Sequence, residues 1–421
     1  NGETTAMVNG ATLEAQGTGN GIEVLSYATD DDRNLTTTTK TLHGLIVNAD
    51  AHHELDNVDV TGVTALSSEA GVAGGGTVSV NTLEGSTLAK LSNSDVNKSG
   101  AAAAADVNVL AKDNTEVDSH LGVTAVGIGM EGAGAAGAAA DTNILKRSTK
   151  AQILGNSTTK NTVNANLLNA QAFDRQDVVT NAIGVAASGG MYGAGTIAGT
   201  ISVSKNAAVT LAEISDIDST NNGLNVTADH RNKLQLFGNS VALSGAIGSG
   251  SIGLGIGVVN DDSDTRANVI NSTIKHNENG TAVDSVTALN DTYLLTEVAD
   301  AAAAISLGGG ASGSITVDNM DNMVMTTIQN STVGTADKKA ASFTAGANNS
   351  LSTKFATATG AGGLGAAAIG IGVTTVDTSV VTSVDNSRIY ADSINLLASE
   401  DRDVTQYGAA GAISGVGLGT N

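Results

Sequence analysis

The densest set of metal-binding side chains in the sequence is Asp50-Ala51-His52-His53-Glu54-Leu55-Asp56. A zinc site needs three or four nitrogen, sulfur or carboxylate ligands converging on one point. Imidazoles come only from His43, His52, His53, His120, His230 and His276, and the chain has no cysteine. Neighbouring residues of a strand point to opposite faces, so His52 and His53 do not converge if the segment is extended. The plainer reading is a solvated polar turn. Two acidic clusters, Asp30-Asp31-Asp32 and Asp261, Asp262 and Asp264, raise the question of calcium. That ion takes about six to eight oxygens at defined spacing, and neither cluster follows a D-x-D-x-D-G loop. The Gly-rich calcium repeat of β-rolls is absent as well. A weak carboxylate and carbonyl site for calcium stays open, but no residue is assigned as a metal ligand.

Three segments satisfy G-x-G-x-x-G: Gly132, Gly134 and Gly137; Gly248, Gly250 and Gly253; Gly360, Gly362 and Gly365. A dinucleotide site needs a strand before that motif, a helix after it and an acid downstream. The triplets instead recur in one slot of a strand-like repeat, where glycine density alone produces them. Glycoside cleavage calls for two carboxyls at a set separation in a groove lined by stacking aromatics. Five Tyr, four Phe and no Trp are scattered and never doubled. No G-x-S-x-G elbow lies between a strand and a helix. The threonine run Thr36–Thr41 (interrupted by Lys40) is a single exposed stretch, not an ice-binding array. No catalytic and no cofactor-binding residue is assigned, and the chain reads as non-enzymatic.

Composition bounds what must position such residues. The 421 residues include 52 Gly and no Pro, Cys or Trp. Proline cannot donate to a hydrogen-bonded ladder, so a chain made of strands with Gly, Asn and Asp turns can do without it. With 41% hydrophobic and 15% charged residues, the sequence lacks the signature of disorder despite its net charge of -22. That acidity excludes a nucleic-acid footprint. The N-terminal NGETTAMVNG has neither the basic nor the apolar region of a signal peptide, so the chain is expected to be a fragment of something longer. Ser240–Val259 and Ala356–Val376 reach about the length of a membrane span. They are thick with Gly, Ser and Thr, and fit a repeating lattice better than a bilayer.

Three sequence frames recur. The first places an alanine at Ala49, Ala111, Ala172, Ala228, Ala288, Ala345 and Ala398, roughly 53–62 residues apart. Leu55, Val117, Val178, Leu234, Leu294, Leu351 and Val404 follow six places on, across a polar stretch such as KDNTE or DHRNK. The second frame, as in VINSTI, IQNSTV and VDNSRI, is anchored by Val8, Leu91, Ile153, Ile214, Val269, Ile328 and Val384. The third is a Gly/Ala block such as GAGAAGAAA after each alanine column. A disordered tether has no reason to recur in register. Residues without bulk let backbones approach closely, so the block is expected in a tightly wound core.

Period-two alternation in GSITVD, TVSVN and NVTAD reads as strand. The expected fold is all-β: an elongated parallel β-helix, or β-solenoid, of about seven repeats of roughly 55–62 residues. It runs continuously over residues 1–421, with units near 1–85, 86–147, 148–208, 209–264, 265–322, 323–378 and 379–421. The long first unit carries an insertion near 28–45. About five short strands per unit predict two three-faced coils or three smaller ones, and a rod roughly 65–100 Å long. An array of immunoglobulin-like sandwiches is disfavoured, since that fold uses about 100 residues.

The lines TTIQNSTVGTADKKAASFTAGANNSL and VINSTIKHNENGTAVDSVTALNDTYL resemble repeats of leukotoxin-type filamentous adhesins and related autotransporter or two-partner-secretion exoproteins. The resemblance covers essentially the whole chain and rests on repeat texture. It implies a bacterial cell-surface or extracellular location and a non-catalytic, adhesive β-helical stalk. Its partner would be a host or neighbouring-cell receptor or glycan, or the protein itself in a filament. A cytotoxic exoprotein and a surface-layer subunit are the alternatives, with a carbohydrate-active β-helix enzyme behind them.

Overall fold

Each repeat lays down two long strands, because its small and aliphatic residues alternate with polar ones over more than twenty positions. The computed structural model describes residues 2–30, 33–305, 308–413 and 416–420, and these form an all-β parallel solenoid. A front sheet holds seven parallel strands of 23 residues: Leu45–Ser67, Val107–Gly129, Leu167–Gly189, Gly223–Gly245, Val283–Ile305, Ala340–Gly362 and Ala391–Ile413. A back sheet holds Gly2–Asn9, Ala70–Ser92, Gly132–Leu154, Ala194–Ser215, Gly250–Ile270, Gly309–Gln329, Gly365–Asp385 and Val416–Thr420. Short strands, among them Ile217–Asn221 and Thr273–His276, make a third, narrow sheet where the back sheet returns to the front.

A whole unit therefore makes one coil, not two or three. The five short strands expected per unit are two long ones and one short one. At about 4.8 Å per rung, seven rungs stack to roughly 30 Å, while each long strand has a contour of about 75 Å. The assembly is broader and shorter than the rod expected from sequence.

Register follows the sequence frames closely. Val8, Leu91, Ile153, Ile214, Val269, Ile328 and Val384 stand one above another in a single ladder of the back sheet. The alanine column does likewise until the sixth unit, where Ala288 pairs with Ala347 and not Ala345. Leu351 correspondingly faces Thr292, and Leu294 faces Thr353. The slip of two residues keeps the same side chains inward, so hydrophobic spacing alone does not detect it.

The recurrent Asn-Ser closes four of the back strands. Asn93, Asn271, Asn330 and Asn386 take left-handed φ values of 46–50° that turn the chain at the corner. The serine that follows bonds in two directions. Ser331 Oγ donates to the Gln329 carbonyl (2.8 Å) and accepts from the Ser272 amide one rung earlier (3.1 Å). Ser387 repeats this with Asp385 (2.8 Å) and the Ser331 amide (3.0 Å). A serine ladder thus ties the corners along the axis.

The interior tapers. Beside the corner Val, Ile, Leu and Phe, including Ile153, Leu168, Ile214 and Phe343, interleave with the alanine column. Midway lie leucines such as Leu145, Leu234 and Leu294. At the far end only alanines remain, Ala125, Ala135, Ala186, Ala198, Ala242 and Ala302. There the sheets close to a bend, and the Gly/Ala blocks form both flanks of it. A Cβ on Gly137 would lie 2.6 Å from the Val185 carbonyl oxygen of the opposite sheet, too close for any side chain. Outward-facing Gly74 has nothing within 4 Å of the same position. We therefore expect Gly137→Ala to cost about 1–3 kcal/mol through forced separation of the sheets. Gly74→Ala should stay within about 0.5 kcal/mol of the parent. Equilibrium denaturation of the two variants measures the contrast, and equal effects would contradict the close-approach account.

Candidate recognition surface and buried polar stripes

The insertion in the first unit is an antiparallel hairpin, Ile22–Thr29 with Leu35–Leu42, that lies on the outer face of the front sheet. It works as a strap along the axis, touching five successive rungs. Tyr27 Oη donates to Asp50 on the first (2.6 Å), and Lys112 Nζ on the second donates to the Leu25 carbonyl. On the third rung Phe173 meets the Tyr27 ring edge-on at 5.9 Å, and Arg175 Nε donates to the Arg33 carbonyl (3.2 Å). Lys233 on the fourth reaches Asn34 (3.4 Å). On the fifth, Arg33 forms an ion pair with Asp291 (2.8 Å) and lies 5.3 Å over the Tyr293 ring.

Between strap and sheet is a polar cavity of about 400 Å³ lined by Tyr27, Ala28, Thr29, Asp30, Arg33, Asp229, Arg231 and Asp291. Its guanidiniums are already engaged: Arg231 binds Asp229 (2.6 Å) and Asp291 (3.2 Å), and Arg33 binds the other oxygen of Asp291. Burial disfavours the Arg231 cation, but Asp229 and Asp291 outweigh it and raise its pKa. Burial, then the bond to Asp50, pushes the Tyr27 phenol up. The arrangement fastens the strap, and its exposed strand from Leu35 to Leu42 presents Thr36, Thr37, Thr38, Thr39 and Thr41 to solvent. Tyr27 and Phe173, far apart in sequence, are the two scattered aromatics that the strap brings into ring contact.

The polar stretch that follows each alanine column is the middle of a front strand, not a turn. Its residues alternate outward and inward. His52 is outside, with Asn114 Nδ2 2.8 Å from its Nδ1, whereas His53 points inward, where burial and then Arg147 lower its pKa. The two rings do not converge. Asp261 is buried while Asp262 and Asp264 face out, Asp264 toward Arg266 (2.6 Å). Asp30 caps the strap turn through the Asn34 amide (2.8 Å), while Asp31 and Asp32 lie outside the described residues. Among the described residues no group of three His, Cys, Asp or Glu is placed to hold a metal. Gly134, Gly250 and Gly365, from the three G-x-G-x-x-G segments, sit in back strands with no helix following. Among the described residues no helix is long and apolar enough to cross a membrane, and Ser240–Val259 and Ala356–Val376 each form strands either side of a bend.

Inward residues of these mid-strand stretches build a polar stripe inside the solenoid. Arg147 pairs with Asp113, which also accepts from Thr87 (2.8 Å). Asp174 binds His230 Nδ1 one rung on (2.8 Å), Gln176 (3.0 Å) and Thr149 (3.1 Å). Asp261 accepts from Asn206 (2.8 Å) and Asn232 (2.7 Å). At the corner, His276 lies against Asp284 (3.0 Å) and Asn221 (3.2 Å). Burial opposes the charged His230 imidazole, yet Asp174, Asp261 and Asp229 raise its pKa. From sequence, Asp261, His230 and His276 stand out only as possible metal ligands, and Asp113, Asp174 and Arg147 not at all, although Asp113, Asp174 and His230 occupy one ladder position.

Closer to the bend a second stripe contains Asp141, Asp300 and Asp318. Asp300 accepts from Ser240, and Asp318 accepts from Thr296 (2.9 Å). Burial raises Asp141 to about 6 and Asp300 and Asp318 to about 7, from 3.8. The folded chain holds these protons to near neutrality, while the unfolded chain releases them near pH 4. Unfolding therefore releases protons between those limits, and stability falls as pH rises from about 4 to 7, then levels off. His230, raised in the fold, adds a loss in the same direction above its ordinary pKa. Thermal melts should show the protein more stable at pH 5 than at pH 8. Asp300→Asn with Asp318→Asn should flatten that dependence by a few kcal/mol. A parent equally stable at both pH values would contradict this origin.

Arg33→Ala should loosen the strap without unfolding the solenoid. Loss of an ion pair and a cation–π contact worth about 1–2 kcal/mol predicts roughly tenfold faster proteolytic cleavage within residues 22–42. Unchanged cleavage would show that the other four rungs suffice. Comparison of the chain with protein-family models, with curated proteins and with solved structures finds no match.

Proposed function

We propose that this chain is a non-catalytic structural and adhesive module, the repetitive stalk of a secreted or surface-attached bacterial filamentous protein. One observation carries the reading: rungs of about 60 residues are joined over nearly their whole length by in-register ladders. The interior is occupied by bonds between rungs, such as Asp174 with His230 and Asn290 with Asn349 (2.9 Å). Chemistry buried in that way holds a shape. The strap supplies the exposed recognition surface, with its threonine strand outermost and its polar cavity beneath. The repeat texture shared with filamentous adhesins supports an extracellular setting and a cell-surface receptor or glycan as partner.

Pulling single molecules from their two ends tests the stalk. Release rung by rung predicts successive length gains of about 200 Å, the extended span of about 60 residues. One all-or-none release would sink it. Display of the chain on a non-adherent bacterium tests adhesion. Binding to host cells or glycans that falls at least tenfold when residues 22–42 are replaced by a short Gly/Ser turn is the expected result, and no binding by the intact chain overturns the adhesive part.

A further inference from the structure

We propose that two copies of this chain pair back to back through the outer face of the back sheet near the bend. On that face, the outward positions of six rungs from Val72 to Val80 and their ladder equivalents are Gly, Ala, Val, Ile or Leu, with Thr142 the one exception. The inward positions beside them are small or polar, among them Ala135, Ala198, Thr77, Asp141, Ser202 and Ser251. Large aliphatic side chains stand in water: Val78 is 74% exposed, Ile201 45% and Ile371 47%.

The face has relief as well as apolarity. A trough of about 880 Å³ crosses the rungs, floored by Gly134, Gly195, Gly250, Gly309 and Gly365. Six residues further along the same strands stands a ridge of Ile201, Ile256, Ile315 and Ile371. A two-fold axis parallel to the stacking direction, over Ala198 and Gly253 midway between them, sets the ridge of each copy on the trough of the other. Rung then faces rung: Ile201 meets Gly195, Ile256 meets Gly250, Ile315 meets Gly309 and Ile371 meets Gly365. Nearer the axis Ile197 faces Gly199 and Ala367 faces Ile369, large on small, whereas Ile252 faces Leu254 and on the first rung Val72 faces Val78, aliphatic on aliphatic. The contact is isologous and closes as a dimer.

A second copy is the occupant that the charge and the area favour. Each chain carries a net charge of -22, so two copies approach best through a surface without charge. The front sheet at similar depth is interrupted by His120 and Glu297 on its outer face. Six rungs at about 4.8 Å by ten residues at about 3.3 Å give roughly 900 Å² per copy, the size of a stable interface.

The absence of cysteine permits a direct test on the full chain. Gly195→Cys and Ile201→Cys lie about 20 Å apart along one strand, beyond the roughly 7 Å reach of a disulfide. Within a chain they cannot join. In the proposed dimer each faces the other residue of the partner copy, so the double variant should oxidise to a covalent dimer and neither single variant should. Analytical ultracentrifugation of the parent should show a dimer. Ile201→Lys with Ile315→Lys should weaken it on the order of 100-fold or more, because unpaired ammonium groups would be buried. Both side chains point outward, so an unchanged far-ultraviolet circular dichroism spectrum certifies the fold. A monomeric parent, a dimer indifferent to the lysines, or a parent that floats with phosphatidylcholine–phosphatidylglycerol vesicles and loses this with the lysines would each overturn the pairing.

Discussion

Every residue in the long strands stands about 4.8 Å above its counterpart one rung earlier, and that spacing governs what the sequence can contain. A side chain inside the solenoid is packed chiefly by the same ladder position above and below. Aliphatic columns satisfy this by simple stacking, as from Val8 to Val384. Polar columns satisfy it by bonding along the axis, as in the corner serines and in Asp174 with His230, or across the rung, as in Asp113 with Arg147. The cost of burying a carboxylate or imidazole is met by a partner on the next rung or by keeping the proton.

The distance between the two sheets is the second variable, and it shrinks toward the bend. Where it is wide, leucine and phenylalanine fill the space. Where it is narrow, alanine, glycine, serine, threonine and a few aspartates occupy it, and bulk is displaced to the outside. The usual polarity of a sheet is thereby inverted near the bend, with hydroxyls and carboxyls within and isoleucines without. The Gly/Ala blocks are the structural reason, since Gly137, Gly184 and Gly253 each press against a carbonyl of the facing strand.

Much of this is legible in the sequence because ladders impose a strict repeat. The parallel β-solenoid, the seven units and the anchor column follow from spacing alone. What spacing cannot give is which side of a strand faces in. In GTIAGTISVS, alternation announces two faces, and the ordinary rule would bury Ile197 and Ile201, yet Thr196, Thr200 and Ser202 are the buried ones. Charged runs such as KDNTE resemble turns because mid-strand ions are rare, and only the opposing Arg147 and Thr149 explain them. The strap depends on contacts between residues over two hundred positions apart, such as Arg33 and Asp291, which no local pattern encodes. The slip at Ala347 escapes for a different reason: a shift of two conserves every face.

The pairing of Asp174 with His230 has a consequence for how such an array can change length. Aliphatic rungs are interchangeable, so duplication or loss of a unit leaves an equivalent stack. A rung holding one half of a buried acid–base pair is not. Excising the unit with His230 would bring Asp174 against Asn290 and remove Asp261 as well, leaving an acid without its base. Recombination between units is thus filtered by what lies inside them, and the middle of the array should keep its order while the rungs around it are freer to multiply.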